Sequence, residues 1–333
     1  MDVGKLLEDR DIRLEYVNRN YNFPELRDGT IITNEDHFTK NLLLNLGFEK
    51  FHTVEDASVE KACEISKYVK GDGIIGFGGG KALDVAKKVS CDLMKDLILV
   101  PTAPSHDGLT SRNSSLYHKG KKKTIRTKYA KRLIIPLHLW KTSGNLKKAG
   151  ICDLIANFIA LQDISLAERN GKRFSEFYKK LSHDAANKIL KLNDEKTLSE
   201  ALIISSIAME EGSQYCSGSE HEVEKLFEKN GFLYLHGQLA GTGVLISAKV
   251  YSAYSKKLPK LRFDSETLFE KIKKKMKEKK VYEFALQPLV DKNFRPEILK
   301  KVGEIRPERF NLWNVIDSRK VDWKKIIDDV LKD

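Results

Sequence analysis

The chain has 333 residues, 41% of them hydrophobic and 32% charged, with a formal net charge of +12 and a pI near 9.2. That balance excludes an intrinsically disordered chain, and the length exceeds what one hydrophobic core normally serves, so two domains are expected. No apolar run is expected to reach the roughly 20 residues that a membrane span needs.

The N-terminal MDVGKLLEDRDIRLEY is charged and lacks the apolar core of a signal peptide. Cys63, Cys91, Cys152 and Cys216 are scattered without a CxxC pair, which argues against structural zinc and a disulfide framework. They fit a reducing compartment, so a cytoplasmic protein is the expectation. Lys and Arg are interspersed with acids, and no basic stripe is interleaved with aromatics, so no nucleic-acid partner is expected. The densest basic run, His118 to Lys123 (HKGKKK), reads as a solvated hairpin tip.

Taken in order, Glu8 to Pro24 reads as an edge strand and loop, and Gly29 to Thr33 as a strand ending at Asn34. A helix follows over Phe38 to Gly47, where glycine stops it, then a short strand from Phe51 to Val54 and a helix over Ser58 to Val69. Gly71 to Lys88 (GDGIIGFGGGKALDVAKK) gives an apolar strand, three adjacent glycines, and a helix with Ala82, Leu83, Val85, Ala86 and Val89 on one face. Strand, glycine turn and helix together aim unpaired N–H groups and a helix dipole at one point, which suits a phosphate; a tight turn without ligand is the alternative. The motif lacks the further Gly of a dinucleotide fingerprint (Lys81 stands there) and the Ser or Thr of a P-loop (Ala82 stands there), so the glycines alone do not name a ligand.

Leu97 to Val100 is a buried strand leading into the polar loop PTAPSHDGLTSRNSS, and Leu133 to Leu137 is another strand. Strands alternating with helices imply a parallel sheet, and ligands of such sheets bind beyond the strands' carboxyl ends, where both the glycine turn and this loop lie. From Ile151 onward the period is helical: ICDLIANFIALQDISLA, Leu198 to Glu210, His236 to Tyr254, Ser265 to Lys279 and Trp323 to Leu331. The expected architecture is an α/β domain over residues 1–148 and a helical domain over 149–333, packed directly with a cleft between.

Three residues of the helical half are of metal-ligand type. Asp153 sits in an apolar helix, where an unpaired carboxylate would be costly. His221 falls on the first turn of a helix that a Ser219–Glu222 capping box would open, and His236 begins the glycine-punctuated helix LHGQLAGTGVLISA. One carboxylate and two imidazoles on separate helices could hold a divalent ion with positions open for substrate. Each His could equally be a hydrogen-bonded structural residue, and Asp153 a helix N-terminal residue favoured by the dipole.

GFGGGKALDVAK, PTAPSHDGLTS, GICDLIAN, SGSEH and LHGQLAGTG occur in that order, and the set resembles the superfamily of metal-dependent glycerol dehydrogenases, iron-type alcohol dehydrogenases and dehydroquinate synthases. Within it the likeness is greatest to the sn-glycerol-1-phosphate dehydrogenases, from Gly29 to the RPERFNLW segment. The resemblance implies a Rossmann-like dinucleotide-binding domain followed by an all-helical metal- and substrate-binding domain, with the active site in the cleft. It implies reversible NAD(P)H-dependent reduction of dihydroxyacetone phosphate to sn-glycerol 1-phosphate, the backbone of archaeal ether phospholipids.

By the same resemblance Gly78, Gly79, Gly80, Lys81 and Ala82 form the pyrophosphate turn. Thr102, Ala103, Pro104 and Ser105 lie against the nicotinamide half, Ser111, Asn113 and Tyr117 make further cofactor contacts, and Asp107 touches substrate. Asp153, His221 and His236 are the metal ligands, usually of zinc, with Asp153 also near the substrate. Many relatives carry a His four residues after the first metal-binding His; Lys225 stands here and could serve a substrate phosphate or be a surface lysine. A homo-oligomer without membrane insertion is implied as well. The alternative is a metal-dependent glycerol or polyol dehydrogenase with an unphosphorylated substrate. Dehydroquinate synthases typically carry Glu where Asp153 stands.

Overall fold

A computed structural model describes residues 2–332, which form two compact units: 2–147 with Asp194–Glu210, and Lys148–Asn193 with 211–332. The first unit begins with α1 (Val3–Glu8), β1 (Arg13–Val17), β2 (Gly29–Asn34), α2 (His37–Asn45), β3 (His52–Val54) and α3 (Val59–Ser66). It continues through β4 (Gly73–Gly78), α4 (Gly80–Asp92), β5 (Asp96–Pro101), β6 (Asn113–His118), β7 (Lys121–Arg126), β8 (Arg132–Pro136) and α5 (Leu137–Lys141).

Six strands make one parallel sheet in the order β1-β8-β5-β4-β2-β3. The central strands are apolar on both faces, as a sheet covered on both sides requires: Ile74, Ile75 and Phe77 in β4 and Leu97, Leu99 and Val100 in β5 are all buried. Helix starts are fixed locally, with Asp36 accepting the Thr39 N–H at 2.8 Å and Ser58 the Lys61 N–H at 3.1 Å. Helix α1 was not expected from the pattern, because six residues are too few for a period to register. Its Val3, Leu6 and Leu7 are nevertheless buried, and Asp2 caps it.

The basic run forms the expected hairpin. β6 and β7 pair antiparallel with His118 opposite Lys121, and the tip residues Lys119 and Gly120 both take positive φ, as a two-residue type I′ turn needs.

The chain then runs through α6 (Asn145–Arg169), α7 (Glu176–Leu190), α8 (Glu195–Ala208), α9 (Ser219–Lys229) and α10 (His236–Ala253). It ends with α11 (Leu268–Glu278), α12 (Tyr282–Leu286), α13 (Leu312–Val315) and α14 (Trp323–Leu331). The second unit has no strand among its described residues. A boundary at residue 148 misplaces one helix, since α8 belongs to the first unit. Arg10 grips Glu210 with two hydrogen bonds (2.6 and 2.7 Å), Tyr16 meets Ser199 at 3.0 Å, and α8 serines hold the loop after β5. Helical period alone carries no sign of which core a helix joins.

Two further expectations are corrected. α6 is long and apolar enough to cross a bilayer by length and composition, although 94% of its apolar window is buried inside the protein. The capping box at Ser219 is absent. Gly218 is the N-cap of α9, the Ser219 N–H donates to Asp163 at 2.5 Å, and Glu222 pairs with Arg306 at 2.7 Å. A long-range buried carboxylate has replaced the local cap.

Candidate functional site

In the second unit α6, α9 and α10 converge on a cluster of one carboxylate and two imidazoles. Asp153 lies in the interior of α6, not at its N-terminus, and is 2% exposed. His221, in the first turn of α9, brings Nε2 to 3.5 Å from Asp153 Oδ1, and His236, the first residue of α10, brings Nε2 to 3.6 Å from the same oxygen. One donor atom from each of the three residues lies within 4.8 Å of the other two. The His236 side chain is 37% exposed against 7% for His221, so the cluster opens on the His236 side.

The opposite ring nitrogens are committed. His221 Nδ1 bonds Glu220 Oε1 at 2.7 Å, and His236 Nδ1 bonds Glu224 Oε1 at 2.9 Å, both glutamates being fully buried. A carboxylate on Nδ1 selects the tautomer with its proton there and leaves the Nε2 lone pair for a cation. With Asp153 facing both Nε2 atoms, the donor set fits a divalent metal of borderline character such as zinc.

Electrostatics agree. Burial opposes charge on His221, yet its bonds to Asp153 and Glu220 prevail and carry its pKa up to about 10. An imidazole between two carboxylates stands in an environment built for positive charge. Burial would raise the Glu224 carboxyl, but His236, then Lys225 and His221, hold it well below the usual carboxylate range. Lys225 Nζ lies 3.5 Å from Glu224 Oε2 and is about one-third exposed.

The close approach of these helices rests on glycine. A Cβ at Gly237 would lie 2.1 Å from the Ala149 carbonyl oxygen, and one at Gly243 would lie 2.1 Å from that of Glu220. Behind them Asp163 accepts the Ser219 N–H, the Tyr251 hydroxyl (2.6 Å) and the Leu312 N–H (2.9 Å), joining α6, α9, α10 and the start of α13. Burial and the charge of Glu220 push Asp163 up to about 7.

In the first unit the glycine turn joins β4 to α4 as expected, with Gly78 at φ +148 and Gly79 as an N-cap without a side-chain bond. The Gly79 N–H donates to Asn34 Oδ1 at 2.6 Å, so one expected phosphate donor has a protein partner. Gly80 packs under His106, whose Nε2 would lie 2.7 Å from a Cβ there. Ala82 is buried, and Lys81 turns its ammonium to the Glu55 carbonyl at 2.9 Å.

The loop after β5 returns to this edge, with the Thr102 N–H bonded to Gly78 O at 3.1 Å and Thr102, Ala103 and Pro104 buried beside half-buried Ser105. Asp107 accepts the Ser205 hydroxyl at 2.7 Å. The Ser206 hydroxyl oxygen accepts the N–H groups of Thr110 (2.9 Å) and Ser111 (2.8 Å). Ser111 Oγ accepts the Asn113 N–H at 2.9 Å, while Tyr117 sits on β6, its N–H bonded to Ala57 O at 2.8 Å and its residue 43% exposed.

The structure thus brings Asp153, His221, His236 and Lys225 together in one unit, and the turn, Thr102–Ser105, Asp107 and Ser111 together in the other. Sequence reasoning missed Glu220, Glu224, Ser205 and Ser206. The two glutamates had a signal, since SEHEVE puts one carboxylate directly before His221 and another one helical turn after it. The serines had none, because they reach the loop from some 95 residues away in sequence.

A family model described as iron-containing alcohol dehydrogenase matches residues 40–141. The chain is 31% identical over 290 residues to a glycerol-1-phosphate dehydrogenase [NAD(P)+] of Thermococcus sibiricus, covering 82% of this chain and 76% of that protein. It is 29% identical over 308 residues to the enzyme of the same name from Sulfurisphaera tokodaii, covering 86% and 82%. Its fold matches the crystal structure of a probable glycerol dehydrogenase from Sinorhizobium meliloti with a TM-score of 0.64, at 16% identity and 95% coverage of both chains. With similarity of that extent, the chain belongs to the glycerol-1-phosphate dehydrogenase family and is an NAD(P)-dependent oxidoreductase.

Proposed function

We propose that this enzyme reduces dihydroxyacetone phosphate reversibly to sn-glycerol 1-phosphate at the expense of NADH or NADPH, in the cytoplasm and for ether phospholipid synthesis. The observation that carries the reading is the Asp153–His221–His236 cluster, with both Nδ1 atoms held by buried glutamates, in a chain that resembles glycerol-1-phosphate dehydrogenases over four-fifths of its length.

A single divalent cation, zinc in this reading, would be held by Asp153 and the Nε2 atoms of His221 and His236, and it supplies Lewis-acid polarisation of the ketone oxygen. The nicotinamide supplies the hydride, and the protein's part is to bind, orient and exclude alternatives. Glu220 and Glu224 keep the Nδ1 protons in place, so neither ring can rotate or present the wrong nitrogen. Asp153 carries the negative charge of the ligand set, and its near-complete burial keeps water from competing for it. Lys225, one helical turn beyond His221 and partly exposed, offers an ammonium to the substrate phosphate.

On the cofactor side, Gly78 to Ala82 cradle the pyrophosphate at the N-terminus of α4, where the N-cap Gly79 has no side chain of its own to cap the helix. Thr102 to Ser105, Ser111, Asn113 and Tyr117 line the nicotinamide half, and Asp107, held by Ser205, contacts the substrate. The functional enzyme is a homo-oligomer in this reading.

The test is oxidation of NADH and NADPH with dihydroxyacetone phosphate, before and after chelation and zinc re-addition. Product is typed with an enzyme specific for sn-glycerol 3-phosphate. Metal-dependent turnover to a product that this enzyme ignores is expected. Turnover only with dihydroxyacetone or glycerol would refute the phosphorylated substrate and move the chain to the polyol dehydrogenases.

A further inference from the structure

The first unit contains a cation with no part in the chemistry above. Lys87, two turns into α4, is 1% exposed, so its ammonium has left water entirely. Taking an ammonium out of water is expensive unless every proton finds an acceptor. Here three acceptors surround Nζ: the Gly108 carbonyl at 2.6 Å, the Asn113 carbonyl at 3.3 Å and Asp84 Oδ1 at 3.6 Å. Burial pulls the Lys87 pKa down, while Asp84 and, more remotely, Asp107 act against it.

The two carbonyls bracket the irregular segment Gly108–Asn113, which has no helix or ladder bonds of its own until β6 begins. Its other ties run from the Thr110 and Ser111 N–H groups to Ser206, from the Asn113 N–H to Ser111 Oγ, from the Gly108 N–H to His106 Nδ1, from Asn113 Nδ2 to the Met209 carbonyl, and from the Thr127 N–H and hydroxyl to the Arg112 carbonyl. Asp84 completes the arrangement by accepting the Ser115 N–H at 3.1 Å through Oδ2. An apolar side chain at position 87 would leave both partly buried carbonyls without this donor.

We propose that Lys87 is a positioning residue: its ammonium clamps the two ends of the Gly108–Asn113 segment and so fixes where Asp107 and Ser111 stand. The inference rests on the cofactor reading of this loop given above. A plain counter-ion to Asp84 would need only the carboxylate, whereas this ammonium makes its shortest contact with a backbone carbonyl.

The experiment compares wild type, Lys87→Met and the double variant Asp84→Asn/Lys87→Met. The double variant removes both charges of the pair, so its stability is largely restored, and the new amide side chain keeps an oxygen for the Ser115 N–H. NADH and NADPH affinities are measured by fluorescence titration, melting is followed thermally, and amide exchange is recorded at Thr110, Ser111 and Asn113 without nucleotide. Both variants are expected to bind NADH at least tenfold more weakly, and in the double variant those three amides exchange at least tenfold faster while β4 amides do not change. A double variant with wild-type nucleotide affinity and wild-type exchange overturns the proposal, as does weaker nucleotide binding with unchanged exchange. If the wild-type protein binds neither nucleotide, the cofactor reading fails. The exchange rates then decide on Lys87 alone, faster exchange supporting the clamp and unchanged exchange overturning it.

Discussion

Replacing Gly243 with alanine probes whether helix spacing sets the metal geometry. The new Cβ would lie 2.1 Å from the carbonyl oxygen of Glu220, 2.8 Å from its carbonyl carbon and 3.0 Å from its Cα, all backbone atoms. No side chain can swing away, so α9 must retreat from α10 by about 1 Å in a close-packed interior. Overpacking of this kind costs about 1–3 kcal/mol, which for a unit of this size lowers the melting temperature by roughly 2–12 °C. His221 follows Glu220 directly and moves with it, away from Asp153 and His236, whereas metal–ligand bonds tolerate only about 0.2 Å. Zinc affinity should therefore fall about 10–100-fold or more, although no ligand has been removed. At a zinc concentration about 100 times the wild-type dissociation constant, metal stabilisation would drop from about 2.7 to about 0.4 kcal/mol for a loss of about 100-fold. Chelator-competition titration of the metal-free protein and melts with and without zinc read both effects. Gly303→Ala is the control, since its Cβ would meet nothing closer than 3.6 Å. A Gly243→Ala protein with wild-type zinc affinity and melting would refute the reasoning.

Glu220→Gln and Glu224→Gln each leave the three ligands in place but exchange the Nδ1 acceptor, and each should weaken zinc binding by about 10–100-fold in the same titration. Lys225→Met should raise the KM for dihydroxyacetone phosphate while leaving turnover of unphosphorylated dihydroxyacetone unchanged; equal effects on both would remove the phosphate role. Asp163, raised from the usual carboxyl range to about 7 by burial and by Glu220, binds its proton more tightly folded than unfolded. Its contribution to stability is therefore complete at low pH and is lost as pH rises through about 7. In metal-free protein, the stability of wild type relative to Asp163→Asn should shrink between about pH 4 and pH 7 and level off above. Parallel pH profiles for the two proteins would contradict this.

Much of the candidate site was legible because it is local. Gly78–Gly79–Gly80 between an apolar strand and a periodic helix can hardly be other than a strand-to-helix turn, and the hairpin at His118–Lys123 follows from Gly120 and the polar run around it. Asp153 was conspicuous because a carboxylate on an apolar helix face demands a partner, and His221 and His236 are the partners it has. The Ser219 capping box, by contrast, was a sound local inference that a distant residue overrode: Asp163 supplies the acceptor from α6, leaving Glu222 for Arg306.

By itself the sequence determined the parallel α/β first half, the helical second half, the glycine turn and the identity of the three candidate ligands. Periodicity, turn chemistry and the cost of burying charge all act within a few residues of one another. Only the tertiary structure decided that α8 joins the first unit, that Glu220 and Glu224 fix the imidazole tautomers, and that Lys87 faces two carbonyls of the loop after β5. Those assignments depend on which helix faces meet, and a face meets its partner through packing across the chain, for which a helical period carries no address.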